Sequence, residues 1–463
     1  MKKNLLTVIF FSLFVLVIAS GCKKTKTDTS VPAVVTQDVM LDVTTTTAQS
    51  GGTITTSGGG LLTENGVCYS TSNQTPTISD TKVTSAIIST TNSFVTNLTG
   101  LTANTTYYLR AYASNGFGTG YGAVIKFTTT STISSVQGVV TTFAGNGSAA
   151  FGDGIGTGAQ FNNPGGMAID AQGNIYIADT FNNRIRKMAP DGTVTTIAGN
   201  GTPGYVDDDV AANAEFYAPA GLTVDAQGNI FVADYGNNVI RKITPDGKVS
   251  TYAGNGYAAF VDGAAINVAA FNGPAGVALD AKGNLFVADQ NNNMIRKITP
   301  TGGVSLVAGT TTAGYLNITV DSAKASWGAF KQPCAITEGP DGNLYVADRG
   351  NNAIRMITPA GVISTVAGGP EQTALVGLPS GLCMDAQGNM FITDESGRVI
   401  ELTAARTLYD LAGTAQKAGY ADATGTAALF NQPQGIVVDA SGSLFVADYN
   451  NNRIRKVVIQ QNN

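Results

Sequence analysis

The feature that most constrains this chain is that it repeats itself. The stretch ADYGNNVIRKITPDGKVSTYAG at residues 233–254 returns as ADTFNNRIRKMAPDGTVTTIAG at 178–199 and as ADQNNNMIRKITPTGGVSLVAG at 288–309. Prolines 164, 219, 274, 333, 379 and 433 recur at intervals of 55, 55, 59, 46 and 54 residues, each ahead of a short apolar run and a Gly-Asn or Gly-Ser turn. Each copy offers four strand candidates, in the first copy residues 166–169, 175–178, 185–188 and 193–198. Four short strands per unit, repeated six times, predict an all-β fold, a six-bladed β-propeller over residues 131–463. The sixth copy ends at RIRKVVIQQNN without a fourth strand, whereas QGVVTTFAGNG, residues 137–147, is a fourth strand with no copy before it. Residues 137–144 are therefore expected to complete the last blade and remove an unpaired edge.

Composition agrees with an all-β reading. Gly numbers 56 among 463 residues, and no long run of helix formers interrupts the Thr, Val, Ile and Asn-rich strands. A formal charge of -5 leaves no cationic field for phosphates, so nucleic acid is not an expected partner.

The chain begins MKKNLLTVIFFSLFVLVIASGCKK: two lysines, an apolar run and small residues before Cys22. This pattern is a secretory signal rather than a spanning helix. Ala19-Ser20-Gly21-Cys22 resembles a bacterial lipobox, which implies cleavage after residue 21 and lipidation of Cys22. Such a chain is expected in the bacterial cell envelope, held by its acyl groups, with residues 22–32 as a tether. The remaining cysteines, Cys68, Cys334 and Cys383, are odd in number and are expected to be small buried thiols.

Residues 33–130 alternate apolar and polar positions between Gly and Thr-rich turns, the pattern of a β-sandwich. LTGLTANTTYYLRAYASNGFGTGYG, residues 98–122, resembles the late strands of fibronectin type III domains, with Leu101 six residues before Tyr107 as in a tyrosine corner. The early-strand tryptophan of that family is absent, since the single Trp is Trp327. The resemblance implies a spacer or presentation module, joined to the repeats by TTTSTISS. GNIYIADTFNNRIRKMAPDG and its copies resemble NHL repeats, whose propellers serve as binding scaffolds and occasionally as enzymes.

Polar residues recur with the repeat. Asp179, Asp234, Asp289, Asp348, Asp394 and Asp448 each end a second strand, and Asn183, Asn238, Asn293, Asn352 and Asn452 follow four residues later. Their recurrence marks them as architecture, with the short side chains expected to bond the backbone of their own turn. The fifth copy, TDESGRVIEL, lacks the Asn and has Glu401 seven residues after its Asp, where the others carry Arg186, Arg241, Arg296, Arg355 and Arg455.

Candidate chemistry is sparse. The chain has no histidine, which removes Ser-His-Asp and imidazole-metal chemistry, including that of the amidating and streptogramin lyases whose propellers resemble this one. Lactonase-type propellers hold a divalent ion with channel carboxylates, and the first strands here offer only Glu338. No catalytic residue, metal site or cofactor is therefore expected. Phe151, Tyr205, Phe260, Tyr315 and Tyr420 recur on the connections between copies, six or seven residues after the glycine that ends each fourth strand. They are expected either to ring one mouth of the channel as a ligand-binding surface or to pin their own connections. The function read from these features is a membrane-anchored binding scaffold for a glycan, peptide or protein partner, with a metal-dependent lactonase or hydrolase as the alternative.

Overall fold

The computed structural model describes residues 30–40, 43–44, 46–85, 93–103, 105–129, 136–318, 328–370 and 375–461. Cys22, the signal segment 1–21, Trp327 and most of the two polar linkers lie outside the described residues. The chain divides into two compact units. One runs through Gln37 and takes in Gly51–Thr96 and Leu109–Ile125; the other takes in Asp38–Ser50, Asn97–Tyr108 and Lys126–Asn463. Among the described residues no helix is long and apolar enough to cross a membrane.

The N-terminal strands form two sheets. The first orders Ala33–Met40, Ala48–Thr56 and Ser93–Leu98; the second orders Thr81–Thr84, Leu62–Ser70, Thr106–Asn115 and Gly118–Tyr121, with Ile125–Thr128 also pairing onto Thr106–Asn115. The Tyr107 hydroxyl accepts the Thr102 N–H at 2.9 Å, its ring stacks on Phe127 with centroids 5.5 Å apart, and Leu101 is buried. This is the corner that the Leu101–Tyr107 spacing predicts.

The repeats form six sheets of four or five strands, each an antiparallel meander. Their first strands are Pro164–Ile169, Pro219–Val224, Pro274–Leu279, Pro333–Glu338, Pro379–Met384 and Pro433–Val438. Each first strand packs against that of the next sheet, and the sixth packs against the first, so the sheets stand radially around an axis. Glycine makes the approach possible: a Cβ at Gly166 would meet the Ala220 carbonyl oxygen at 2.5 Å, and one at Gly435 would meet that of Gly165 at 2.5 Å. The sixth sheet takes its outer strand from the start of the repeats, since Val136–Ala144 pairs with Arg453–Gln461 from Ala144↔Ile454 to Val136↔Gln461.

The apolar core is divided into wedges between neighbouring sheets. Five wedges are filled by a fully buried phenylalanine, Phe161, Phe216, Phe271, Phe330 or Phe430, each worth roughly 1.5 to 3 kcal/mol of burial. The wedge between the fourth and fifth sheets has Val376 instead. The three cysteines are free. Burial pushes the Cys68 thiol up to about 11 and that of Cys334 up to about 12, so both stay protonated. Cys68 is buried as the sequence reading expects, whereas Cys334 and Cys383 keep partial exposure, more than that reading expects.

The recurring polar residues hold each sheet to its connection. In the first sheet Asp179 Oδ1 accepts the Asn162 N–H at 2.8 Å, while Oδ2 accepts Asn182 Nδ2 at 2.8 Å and Arg186 Nη1 at 2.6 Å. Arg186, fully buried, also donates to the Gln160 and Gly152 carbonyls and to Asp153 on the connection, which in turn accepts the Thr196 N–H of the fourth strand. The same set recurs around Arg241, Arg296 and Arg455, and around Arg355 with Asn317 in place of the aspartate on the connection. The asparagines correct the expectation that they serve their own turn alone. Asn183, at φ 50°, accepts the Ala218 N–H of the next sheet at 3.0 Å, and Asn452 accepts the Asn163 N–H of the first sheet at 2.9 Å. Asn238, Asn293 and Asn352 bridge in the same way.

The fifth sheet departs from this scheme, and here a simple residue count misleads. Its turn is one residue shorter, so Ile400 faces Ile392 as Arg186 faces Ile177, and Glu401 faces Phe391 as Lys187 faces Tyr176. Glu401 therefore does not replace the buried arginine. Arg398 serves Asp394 instead, through Nη2 at 2.6 Å and Nε at 2.9 Å. At the corresponding place other sheets set a lysine over an aromatic ring, as with Lys187 and Tyr176 at 5.9 Å.

Burial, and then the Asp385 carboxylate, push Glu401 up to about 7. An unfolded glutamate titrates near about 4.3. Between those values the folded chain keeps a proton that the unfolded chain has lost, so stability falls as the pH rises through this window and the cost is complete above it. Glu401→Gln is expected to stabilise the protein by about 2 kcal/mol at pH 8 and to change nothing at pH 4. Denaturant titrations at the two pH values check this, and a gain independent of pH would contradict it.

Candidate functional site

A cavity of about 560 Å³ opens on the axis where the six first strands meet. Its wall is built in tiers, because each sheet contributes equivalent positions. The floor is an apolar collar of Met167, Leu222, Val277, Ile336, Leu382 and Ile436, all at most 8% exposed. Above it come Gly166, Gly221, Gly276, Ala335, Gly381 and Gly435. The next tier is the residue after each proline: Gly165, Ala220, Ala275, Cys334, Ser380 and Gln434. The rim is the residue after each conserved-in-position aspartate of the second strands: Thr180, Tyr235, Gln290, Arg349, Glu395 and Tyr449, joined by Phe181 and Asn291.

The lower two tiers scarcely vary, because every sheet must meet its neighbour there. The upper two vary in every property. Arg349 and Glu395 form a two-pronged pair, Nε to Oε1 and Nη2 to Oε2 at 2.7 Å each, linking the fourth sheet to the fifth. Glu395 Oε1 also accepts Gln434 Nε2 at 3.2 Å. Hydrogen bonding to Glu395 raises Arg349 above its usual range. Burial, and then the Glu395 charge, raise the Tyr449 phenol, which keeps its proton at neutral pH. Phe181 and Tyr449 meet edge to face at 6.1 Å. A shallower recess of about 370 Å³ beside the cavity is lined by Phe181, Tyr217 and Tyr235. The rim thus presents an aromatic side and an amide-rich side around one neutralised ion pair.

The residues singled out in the sequence lie elsewhere. Phe151, Tyr205, Phe260, Tyr315 and Tyr420 are between 37% and 46% exposed, and none lines the cavity. Each covers the buried arginine of its own sheet: Arg186 lies 5.0 Å from the Phe151 centroid, Arg241 5.2 Å from Tyr205, Arg296 4.7 Å from Phe260, Arg355 4.7 Å from Tyr315 and Arg455 4.9 Å from Tyr420. The buried phenylalanine lies against the same guanidinium, as Phe216 does with Arg241 at 4.9 Å. The three tyrosine hydroxyls share hydrogen bonds with Thr251, Thr365 and Thr142 on fourth strands at 2.7, 2.7 and 2.9 Å. Glu338 ends its strand two residues past the collar and does not line the cavity; burial, and then Asp280, raise its carboxyl. Among the described residues no three His, Cys, Asp or Glu side chains come together as a metal site. The rim residues escape a search for periodicity, and the available signal was the opposite one: a position that holds five residue types in six copies of an otherwise regular repeat.

The NHL repeat family model matches residues 161–188, 216–243, 271–298 and 430–457, that is, the first, second, third and sixth sheets. Among curated proteins, the chloroplastic protein SUPPRESSOR OF QUENCHING 1 of Arabidopsis thaliana is 27% identical over 324 residues, 67% of this chain and 26% of that protein. Teneurin-1 of Mus musculus is 29% identical over 43% of this chain and 8% of its own length. Human NHL repeat-containing protein 2 is 26% identical over 63% of this chain and 46% of its own. The chain thus spans less than half of each of these relatives. Two solved structures are similar over 92% of this chain and 98% of their own: a Bacteroides thetaiotaomicron protein of unknown function, with TM-score 0.52 and 18% identity, and an auxiliary nutrient binding protein from Bacteroides ovatus, with TM-score 0.50 and 15% identity. At these identities the likeness is one of fold. The chain is an all-β protein whose NHL repeats form a β-propeller.

Removal of the rings over the arginines separates pinning from binding. Tyr205→Ala and Tyr420→Ala are each expected to cost about 1 to 3 kcal/mol in chemical denaturation, because each uncovers a buried guanidinium and breaks the hydroxyl contact to the fourth strand. Unchanged stability in both variants would contradict the pinning role.

Proposed function

We propose that this chain is an exported, lipid-anchored binding scaffold: a fibronectin type III-like sandwich of residues 33–130 followed by a six-bladed propeller whose axial cup takes a glycan, peptide or protein segment. The observation that carries the reading is the contrast between tiers, with a uniform framework below and a varied rim of aromatic, amide and paired charged side chains above a cavity of ligand size. The ring of first-strand contacts and the borrowed outer strand support six closed blades. The name of the Bacteroides ovatus neighbour, an auxiliary nutrient binding protein, is in keeping with a binding role at a bacterial envelope. The metal-dependent hydrolase alternative rests on Glu338, beyond the collar and outside the cup, while Glu395 in the cup is taken up by Arg349. The five rings over the arginines act as pins in this proposal, and nucleic acid is no partner.

Two experiments test it. The mature chain, probed on glycan and peptide arrays, is expected to bind a defined set of ligands, and Tyr235→Ala with Tyr449→Ala is expected to abolish those signals while the melting temperature holds; array binding that survives both substitutions would refute the cup as the site. For the anchor, Cys22→Ala is expected to leave an unprocessed or soluble protein and to remove acyl labelling. Unaltered fractionation together with unaltered acyl labelling would refute the lipid anchor.

A further inference from the structure

We propose that the cup receives the end of a neutral oligosaccharide; this rests on the reading above that the cup is the binding site. The first argument is charge. Among the described residues Arg349 and Glu395 are the only ionised ones lining the cavity, and they neutralise each other through two bonds of 2.7 Å. A carboxylate, sulfate or phosphate ligand needs an unopposed cation, and a cationic ligand needs an unopposed carboxylate. The cup offers neither.

The second argument is the chemistry of what remains. Gln290, Asn291, Gln332, Gln432 and Gln434 line the cup, and an amide both donates and accepts, as a sugar hydroxyl does. Tyr235 and Tyr449 add phenol hydroxyls, and their rings, with Phe181, supply flat apolar faces for the C–H side of a pyranose. Sugars are ligands of this mixed kind, polar at the edge and apolar on one face.

The third argument is shape. A bound peptide segment is commonly held along a strand edge or by its apolar side chains in a groove. Here the large aliphatic side chains are confined to the collar, and the tiers above it are mostly glycine and alanine, topped by amides, three aromatic rings and the ion pair. A recess of about 560 Å³ on the axis suits a chain end a few residues long.

The test is titration calorimetry of the mature chain with neutral oligosaccharides of several linkages, with uronate-containing and sulfated oligosaccharides, and with peptides. The expected result is saturable binding of at least one neutral oligosaccharide that changes little between about 0.05 and 0.5 M salt. Tyr449→Ala is expected to weaken it by about tenfold or more with an unchanged melting temperature. Gln434→Ala, which touches no aromatic contact, is expected to weaken it also and guards against a folding defect in the first variant. Binding confined to anionic oligosaccharides and lost at high salt, or binding of peptides alone, would overturn the ligand class while leaving the cup as the binding site. Binding of a neutral oligosaccharide that both variants leave intact would overturn the site itself, and failure of every neutral oligosaccharide to bind would overturn the proposal.

Discussion

Five of the six repeats are organised around one fully buried guanidinium. In five of the six sheets an arginine with no exposed surface meets an aspartate with none, at 2.6 to 3.0 Å. A buried charge pair of this kind contributes little net energy compared with apolar packing, but it is very costly to leave half made. Its value here is positional. The aspartate fixes the turn after the second strand and the backbone ahead of its own sheet's first strand, and the arginine fixes the long connection. The turn in turn sets the direction of the residue that follows the aspartate, which is the rim of the cup. The framework that looks like chemistry therefore positions the residues that can perform it.

The fifth sheet shows what happens when the framework is altered. Its shortened turn loses the asparagine bridge to the next sheet, and Gly397 stands at that turn. Arg398 takes over the aspartate by a different route, leaning on Asp410 as well. The same turn carries Glu395, which reaches back to Arg349 of the fourth sheet and is steadied by Gln434 of the sixth. One tie between neighbouring sheets is thus replaced by another that lies in the cup wall.

Much of the fold was legible because every copy must solve the same packing problem. The proline spacing located all six first strands, and the orphan strand at the start of the repeats located the partner of Arg453–Gln461. The Leu101–Tyr107 spacing located a real corner. Two readings went astray for physical reasons. Counting residues assigned Glu401 to the arginine position because a one-residue deletion in a turn leaves the sequence similar while moving every later residue to the other face of the sheet. The aromatics on the connections are as regular as the strands because each covers the same guanidinium, so their regularity reports architecture. The cup was not legible by the same method: Thr180, Tyr235, Gln290, Arg349, Glu395 and Tyr449 share a position but, apart from the two tyrosines, no property, and only the ring of sheets brings them together.

The claim on which the account depends is that the buried pair is one coupled unit rather than two independently tolerated charges. A double-mutant cycle on Asp289 and Arg296 measures this directly by chemical denaturation. The account predicts that Asp289→Ala and Arg296→Ala each cost about 3 to 5 kcal/mol and that the double variant costs about 2 kcal/mol or more less than their sum, because removing one partner strands the other in the core. Costs that add to within about 0.5 kcal/mol would contradict it.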